Sequence, residues 1–226
     1  MKCFTCGGVD WGENLVLWDE LIEEWELELF EVTYINHQQG FYCINCQNNL
    51  RANVIAKSLV EKFDNSNTLA EAAFDPKFKD VTILEVNRCH NLTSYLERFP
   101  RHMLIEYPHY DIQDLDLNDN QWDIVVHSDT LEHVDNPLKA LEECRRILKS
   151  DGQLIFTTPI RISRLSKSRK GLKNSYHGSR SSFDPGMLVH TEFGVDIWRM
   201  VAEAGFTKIE FNTLDFPAGI AILASS

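Results

Sequence analysis

The 226-residue chain has no run of 18 apolar residues, so a membrane-spanning helix is not expected. Its first residues, Met1 to Asp10, lack the basic start and apolar stretch of a secretory leader. These two absences predict a soluble, cytoplasmic protein with no membrane partner. There is no internal repeat and no low-complexity tract. Lys and Arg are missing from Asp10 to Glu31, which holds nine acids, and acids are missing from Arg161 to Arg180, which holds seven bases. The formal charge of -12 repels phosphate at long range and argues against nucleic acid as a partner. With 43% hydrophobic residues, the chain is long enough for one α/β domain and a small appendage.

Four of the six cysteines form two identical units, Cys3-Phe4-Thr5-Cys6 and Cys43-Ile44-Asn45-Cys46. Two residues between thiols let one tight turn present both sulfurs to the same ion, and two such knuckles complete a tetrahedral site. Zn2+ is the expected occupant of Cys3, Cys6, Cys43 and Cys46. With no open coordination position it would be structural. The alternative, a redox or disulfide pair, is disfavoured by a reducing cytoplasm. Between the knuckles, Trp18, Leu21, Ile22 and Trp25 have the spacing of one helical face. The acids there read as the solvated side of that helix, or alternatively as a docking surface. Cys89 and Cys144 read as small apolar fillers.

Beyond the knuckles the pattern predicts a helix over Asn49–Phe63 and a connector over 64–79. Strands and helices then alternate: strand 81–86, helix 92–99, strands 102–106 and 122–127, and helix 136–149 stopped by a left-handed Gly152. Strand 153–158, helix 193–204 closed by Gly205, and strands 208–214 and 219–224 complete the series. Such alternation calls for an α/β, mostly parallel, doubly wound sheet that binds ligands at the carboxyl ends of its strands.

The stretch Trp122-Asp123-Ile124-Val125-Val126-His127-Ser128-Asp129-Thr130-Leu131-Glu132-His133-Val134 carries a likeness to a known family. It is continued by Glu143, Arg145-Arg146-Ile147-Leu148-Lys149, Gly152, Phe156 and Thr158-Pro159. Together these residues resemble the class I S-adenosylmethionine-dependent methyltransferases, of the type 11/23 kind, over roughly Val81 to Ala224. Gln39-Gly40 and Asn49-Leu50-Arg51 beside the second cysteine pair look like the zinc-ribbon version of such enzymes. The resemblance implies a Rossmann-like methyltransferase sheet over 51–226 and a zinc ribbon over 1–50.

It also implies roles for individual residues. Glu85, with Val86 and Asn87 after it, matches the acid of the family's first motif. Glu106, followed by Tyr107, would accept the ribose hydroxyls, and Asp111 and Ile112 would clamp the adenine. His127, Ser128, Asp129 and His133 would line the floor near the sulfonium. The family's glycines are absent: Glu85 is followed by Val86-Asn87-Arg88-Cys89-His90-Asn91. Asn87 and Asn91 tolerate a left-handed backbone, while Arg88 and His90 must point away from the cofactor. His177 is the candidate base and Tyr176 the candidate positioner for an acceptor proton. The basic segment would cover an acidic substrate, such as a phosphorylated one, which makes a small-molecule or glycan-type acceptor the expected partner. The competing reading is a non-catalytic zinc-ribbon scaffold on a degenerate methyltransferase fold.

Overall fold

The computed structural model describes residues 1–63, 67–176 and 185–226. Its first part holds strand β1 (Trp11–Glu13), helix α1 (Asp19–Glu24), helix α2 (Leu29–Gly40) and strand β2 (Phe41–Cys43), with β1 and β2 paired antiparallel. Helix α3 (Leu50–Lys62) starts where the Asn49 side chain accepts from Ala52 N at 3.0 Å, the usual capping geometry. Helix α4 (Leu69–Ala72), strand β3 (Ile83–Val86), helix α5 (Thr93–Leu96), strand β4 (His102–Ile105) and strand β5 (Trp122–Ser128) follow. After them come helix α6 (Pro137–Ile147), strand β6 (Leu148–Thr157), and the short strands β7 (Ile160–Arg161), β8 (Lys167–Ser168) and β9 (Thr191–Gly194). Helix α7 (Ile197–Glu203), strand β10 (Lys208–Leu214) and strand β11 (Gly219–Ser225) end the chain.

Six strands form the main sheet in the order β10-β11-β6-β5-β3-β4. The pairs β4/β3, β3/β5 and β5/β6 are parallel, and β11 runs antiparallel to both its neighbours. Side chains alternate across the pleat, so the sheet buries two cores. One packs Leu84, Val125 and Phe156 against Ala140, Leu141 and Cys144 of α6 and Val201 of α7. The other packs Ile83, Ile124 and Val126 against Val54, Ile55 and Leu59 of α3 and against Leu69, Leu92 and Leu96. Cys89 and Cys144 are fully buried in these cores, as fillers would be. No described helix is long and apolar enough to cross a membrane.

Four expectations need correction. Helix 136–149 ends at Ile147, and Gly152 is not left-handed but lies within β6. A Cβ there would sit 2.9 Å from Trp122 O, so glycine permits the close approach of β5 and β6. Helix 193–204 begins only at Ile197, because Thr191–Gly194 is a strand pairing with β7 and β8; a Cβ on Gly194 would lie 2.2 Å from Arg164 O. Helix 92–99 shrinks to α5. The connector, whose residues 64–66 lie outside the described ones, contains α4, capped by the Thr68 side chain. Gly205 closes α7 with a φ of 93°, as expected.

Candidate functional site

The two knuckles meet. Cys3 Sγ lies 3.6 Å from Cys46 Sγ and Cys6 Sγ 3.6 Å from Cys43 Sγ, and all four sulfurs fall within 4.8 Å of one another. A tetrahedral ion with ~2.3 Å metal–sulfur bonds needs sulfurs ~3.8 Å apart, whereas a disulfide needs ~2.05 Å. The cysteines are therefore unbridged and spaced for one ion. The hydrogen bond between Cys3 and Cys46 lowers the Cys3 thiol and raises that of Cys46, so it favours the thiolate at one sulfur at the expense of the other.

The cluster is also welded to α3. Asn53 Oδ1 lies 2.9 Å from Cys3 Sγ and accepts from Thr5 Oγ1 at 3.2 Å, while Asn53 Nδ2 donates to the carbonyls of Asn48 and Asn49. Two residues before Asn53, Arg51 reaches the carboxylate of Asp129 at the carboxyl end of β5.

At that carboxyl edge the turn after β3 uses left-handed residues other than glycine. Asn87 has φ 58° and His90 φ 55°, so the second left-handed residue is His90 and not Asn91. Asn87 fixes the turn with its side chain: Oδ1 accepts from Tyr107 N at 3.0 Å and Nδ2 reaches Thr130 Oγ1 at 3.4 Å. Cys89 turns inward, fully buried. Glu85 is spent on the scaffold. Its Oε1 accepts from Cys89 N (2.8 Å) and Thr93 Oγ1 (2.5 Å), and its Oε2 lies 2.9 Å from His102 Nε2. Val86 is buried in the α6-side core.

Glu106 directly follows β4 with its side chain 44% exposed, and the guanidinium of Arg88 comes within 3.4 Å of it. Arg88 thus leans over the acid expected to take the ribose. Tyr107 is exposed, Asp111 accepts from Gln113 N at 2.9 Å, and Ile112 is buried against the core. His127 is completely buried, stacks on Phe156 at 4.9 Å, and has no hydrogen-bond partner for either ring nitrogen among the described residues. Burial pushes its pKa down to about 3, so the ring is neutral. Ser128 Oγ bonds Thr157 Oγ1 at 2.9 Å. Asp129, with φ 45°, accepts from Arg51 at Oδ2, and its buried Oδ1 has no partner among the described residues. His133 Nδ1 bonds Leu188 O at 3.0 Å. Tyr176 bridges to Leu188 through its backbone, and His177 lies outside the described residues.

Sequence reasoning missed Arg51 as a site residue. A signal existed: a cation in the first turn of a helix opposes the helix dipole, so its presence there points to a specific partner. It also missed a cavity between α2 and the β7/β9 pair, with Trp25, Tyr34 and Gln38 on one side and Glu132, Arg161 and Phe193 on the other. The basic segment is largely structural. Arg161 and Arg169 both bind Glu192, and Arg164 binds Glu31 at 2.9 Å, which leaves Lys167, Lys170 and Lys173 exposed.

Residues 53–156 match the methyltransferase domain family. Two Mycobacterium tuberculosis proteins, from strains CDC 1551 and H37Rv, are each named "Probable S-adenosylmethionine-dependent methyltransferase". Each is 27% identical over 112 residues, which is 50% of this chain and 35% of the relative. The chain spans about a third of the length of those relatives. Among solved structures, an S-adenosylmethionine-dependent methyltransferase from Mesorhizobium loti is similar at TM-score 0.41 and 14% identity, covering 70% of this chain and 95% of that one. The CurJ carbon methyltransferase is similar at TM-score 0.44 and 12% identity, covering 92% and 70%.

Proposed function

We propose that this chain, whose residues 53–156 form a methyltransferase domain of the S-adenosylmethionine-dependent kind, moves a methyl group from that cofactor to a small-molecule or glycan-type acceptor. S-adenosylmethionine supplies an electrophilic methyl on a positive sulfur; the protein supplies alignment and desolvation. The observation that carries the reading is the set of acids at the carboxyl ends of parallel strands around a left-handed Asn87 turn. The residues fit the cofactor. Asp129 Oδ1, buried and unpartnered, suits the methionine ammonium, with Arg51 neutralising the other oxygen. Glu106 suits the ribose hydroxyls and Asp111 the adenine amine. Glu85 acts one layer back by pinning the turn. His177 is the proposed base for an alcohol acceptor and Tyr176 its positioner. The sulfur spacing supports a structural zinc on Cys3, Cys6, Cys43 and Cys46.

Titration calorimetry of zinc-loaded protein with S-adenosylmethionine and S-adenosylhomocysteine tests the reading. Micromolar binding is expected, weakened at least about tenfold in Glu106→Ala, since losing a bidentate acceptor for two hydroxyls costs more than ~1.4 kcal/mol. A folded sample that binds neither ligand would leave the scaffold reading standing.

A further inference from the structure

The first turn of α3 joins the four-cysteine cluster to the carboxyl edge of the sheet. At the cluster end Asn53 Oδ1 lies 2.9 Å from Cys3 Sγ and accepts from Thr5 Oγ1, while its Nδ2 donates to Asn48 O at 3.0 Å and Asn49 O at 2.9 Å. Asn48 O in turn accepts from Cys43 N at 2.9 Å. Both knuckles therefore grip the residues that open the helix.

Arg51 stands inside that gripped turn. Its side chain, 15% exposed, bonds Oδ2 of Asp129, the first residue beyond β5. A guanidinium there works against the helix dipole, and burial pulls its pKa below the ordinary value. The carboxylate of Glu132 offsets part of that by supporting the positive charge. Asp129 is equally constrained. Its backbone is left-handed at φ 45°, and its N–H donates to Thr157 O at 3.0 Å. A strained residue of this kind persists where its neighbours over-determine it, often at a ligand site. With Oδ2 held by Arg51, the buried Oδ1 has no partner among the described residues and is matched only when a donor arrives.

Resting on the methyltransferase reading, we propose that Arg51 is a positioning residue that couples metal in the cysteine cluster to cofactor affinity. With the cluster filled, α3 holds Arg51 on Asp129, keeping that carboxylate ionised and turned so that Oδ1 takes the ammonium of the cofactor's methionine part. Metal loss releases Cys3 and Cys43, slackens the first turn of α3 and withdraws the guanidinium. A buried Asp129 without its counter-charge takes up a proton and no longer attracts an ammonium. Linkage makes the effect reciprocal: bound cofactor strengthens metal retention by the same factor.

The test titrates zinc-loaded parent, Arg51→Met, Arg51→Lys, Asp129→Asn and the Arg51→Met/Asp129→Asn double variant with S-adenosylhomocysteine by calorimetry. For each, the EDTA concentration that removes half the zinc is measured without that ligand and at equal saturation with it. Arg51→Met is expected to keep about one zinc per chain and to bind S-adenosylhomocysteine at least about tenfold more weakly, with Arg51→Lys back within about threefold of the parent. The double variant should bind within about twofold of the weaker single variant, because both changes remove one interaction. Bound S-adenosylhomocysteine should raise the EDTA requirement at least about fivefold in the parent and leave it unchanged in Arg51→Met. Should Arg51→Met not fold, the same loss of zinc protection is expected in Asp129→Asn. Additive losses would place Arg51 on the cofactor itself and overturn the proposal. Equal zinc protection in parent and variants overturns it too, as does unchanged or tighter binding in Arg51→Met. A zinc-loaded parent that binds no S-adenosylhomocysteine sinks the cofactor reading and this proposal together, whereas a parent that binds it without protecting zinc sinks this proposal alone.

Discussion

The four-cysteine cluster and the turn after β3 are both tight turns built on left-handed residues, but they divide the labour differently. In the cluster, Gly7 (φ 81°) and Gln47 (φ 61°) take the left-handed positions, and their N–H groups close the knuckles onto Cys3 O and Cys43 O at 2.8 Å. There the left-handed residues and the thiol-bearing residues are different positions. After β3, Asn87 holds the left-handed backbone and makes the side-chain bonds to Tyr107 and Thr130. Shape and support are one residue there. The lesson is that a conformation usually given to glycine survives when an asparagine side chain ties the turn to its neighbours.

The largest expected effect breaks the cluster. Structural zinc contributes ~10–16 kcal/mol in small metal-dependent folds, more than the net stability of most domains. Cys43→Ser is expected to drop bound zinc from about one per chain to near none, and to melt the cluster and the first turn of α3. Metal analysis with thermal melts checks this; a variant that melts like the parent would show that the cluster needs no ion. Next is His127, on the sheet side of the comparison. Its pKa falls from 6.5 unfolded to about 3 folded, so its contribution is complete above pH 6.5 and lost as pH falls toward 3. The slope is ~1.4 kcal/mol per pH unit in that window, several kcal/mol in all. Urea melts at pH 7 and pH 4.5 should show a flatter dependence in His127→Phe, and an unchanged slope would remove this histidine from the account.

How much of this was legible beforehand follows from which residues do the work. The Cys-x-x-Cys pairs and the apolar runs of β3, β5 and β6 advertise themselves, because ligand spacing and burial on both sheet faces leave little choice of residue. Helix α2 hid because its buried face includes Glu31, Asn36 and Gln38, polar side chains that bond distant partners such as Ser163, the backbone of Val16 and Ala218 O. Strand β9, Thr191-Glu192-Phe193-Gly194, hid because Glu192 is held by Arg161 and Arg169, an ion cluster that no periodicity reports. The cavity lies between those two hidden elements. Arg88 was flagged as an obstacle, but its resting place on Glu106 depends on the fold.

The comparison is sharpened at Asn87. Asn87→Ala loses both the side-chain bonds and the tolerance of positive φ, at ~2–3 kcal/mol; Asn87→Gly keeps the backbone and loses only the bonds, at ~1 kcal/mol. Denaturant melts measure the gap, and equal losses would mean that backbone strain plays no part.

The smallest effect concerns Arg88, and it has the opposite sign. Arg88 and Glu106 are 56% and 44% exposed, and such a pair is worth ~0–1 kcal/mol. In the proposed cofactor site, the guanidinium beside Glu106 Oε1 competes with the ribose hydroxyls for that carboxylate. Arg88→Ala is therefore expected to leave stability unchanged and to tighten S-adenosylhomocysteine binding up to about fivefold. Added salt screens the exposed pair, so the advantage of the variant should shrink as ionic strength rises. Weaker binding in Arg88→Ala would mean that the arginine contacts the cofactor itself, and the turn after β3 would then, like the knuckles, carry ligands as well as shape.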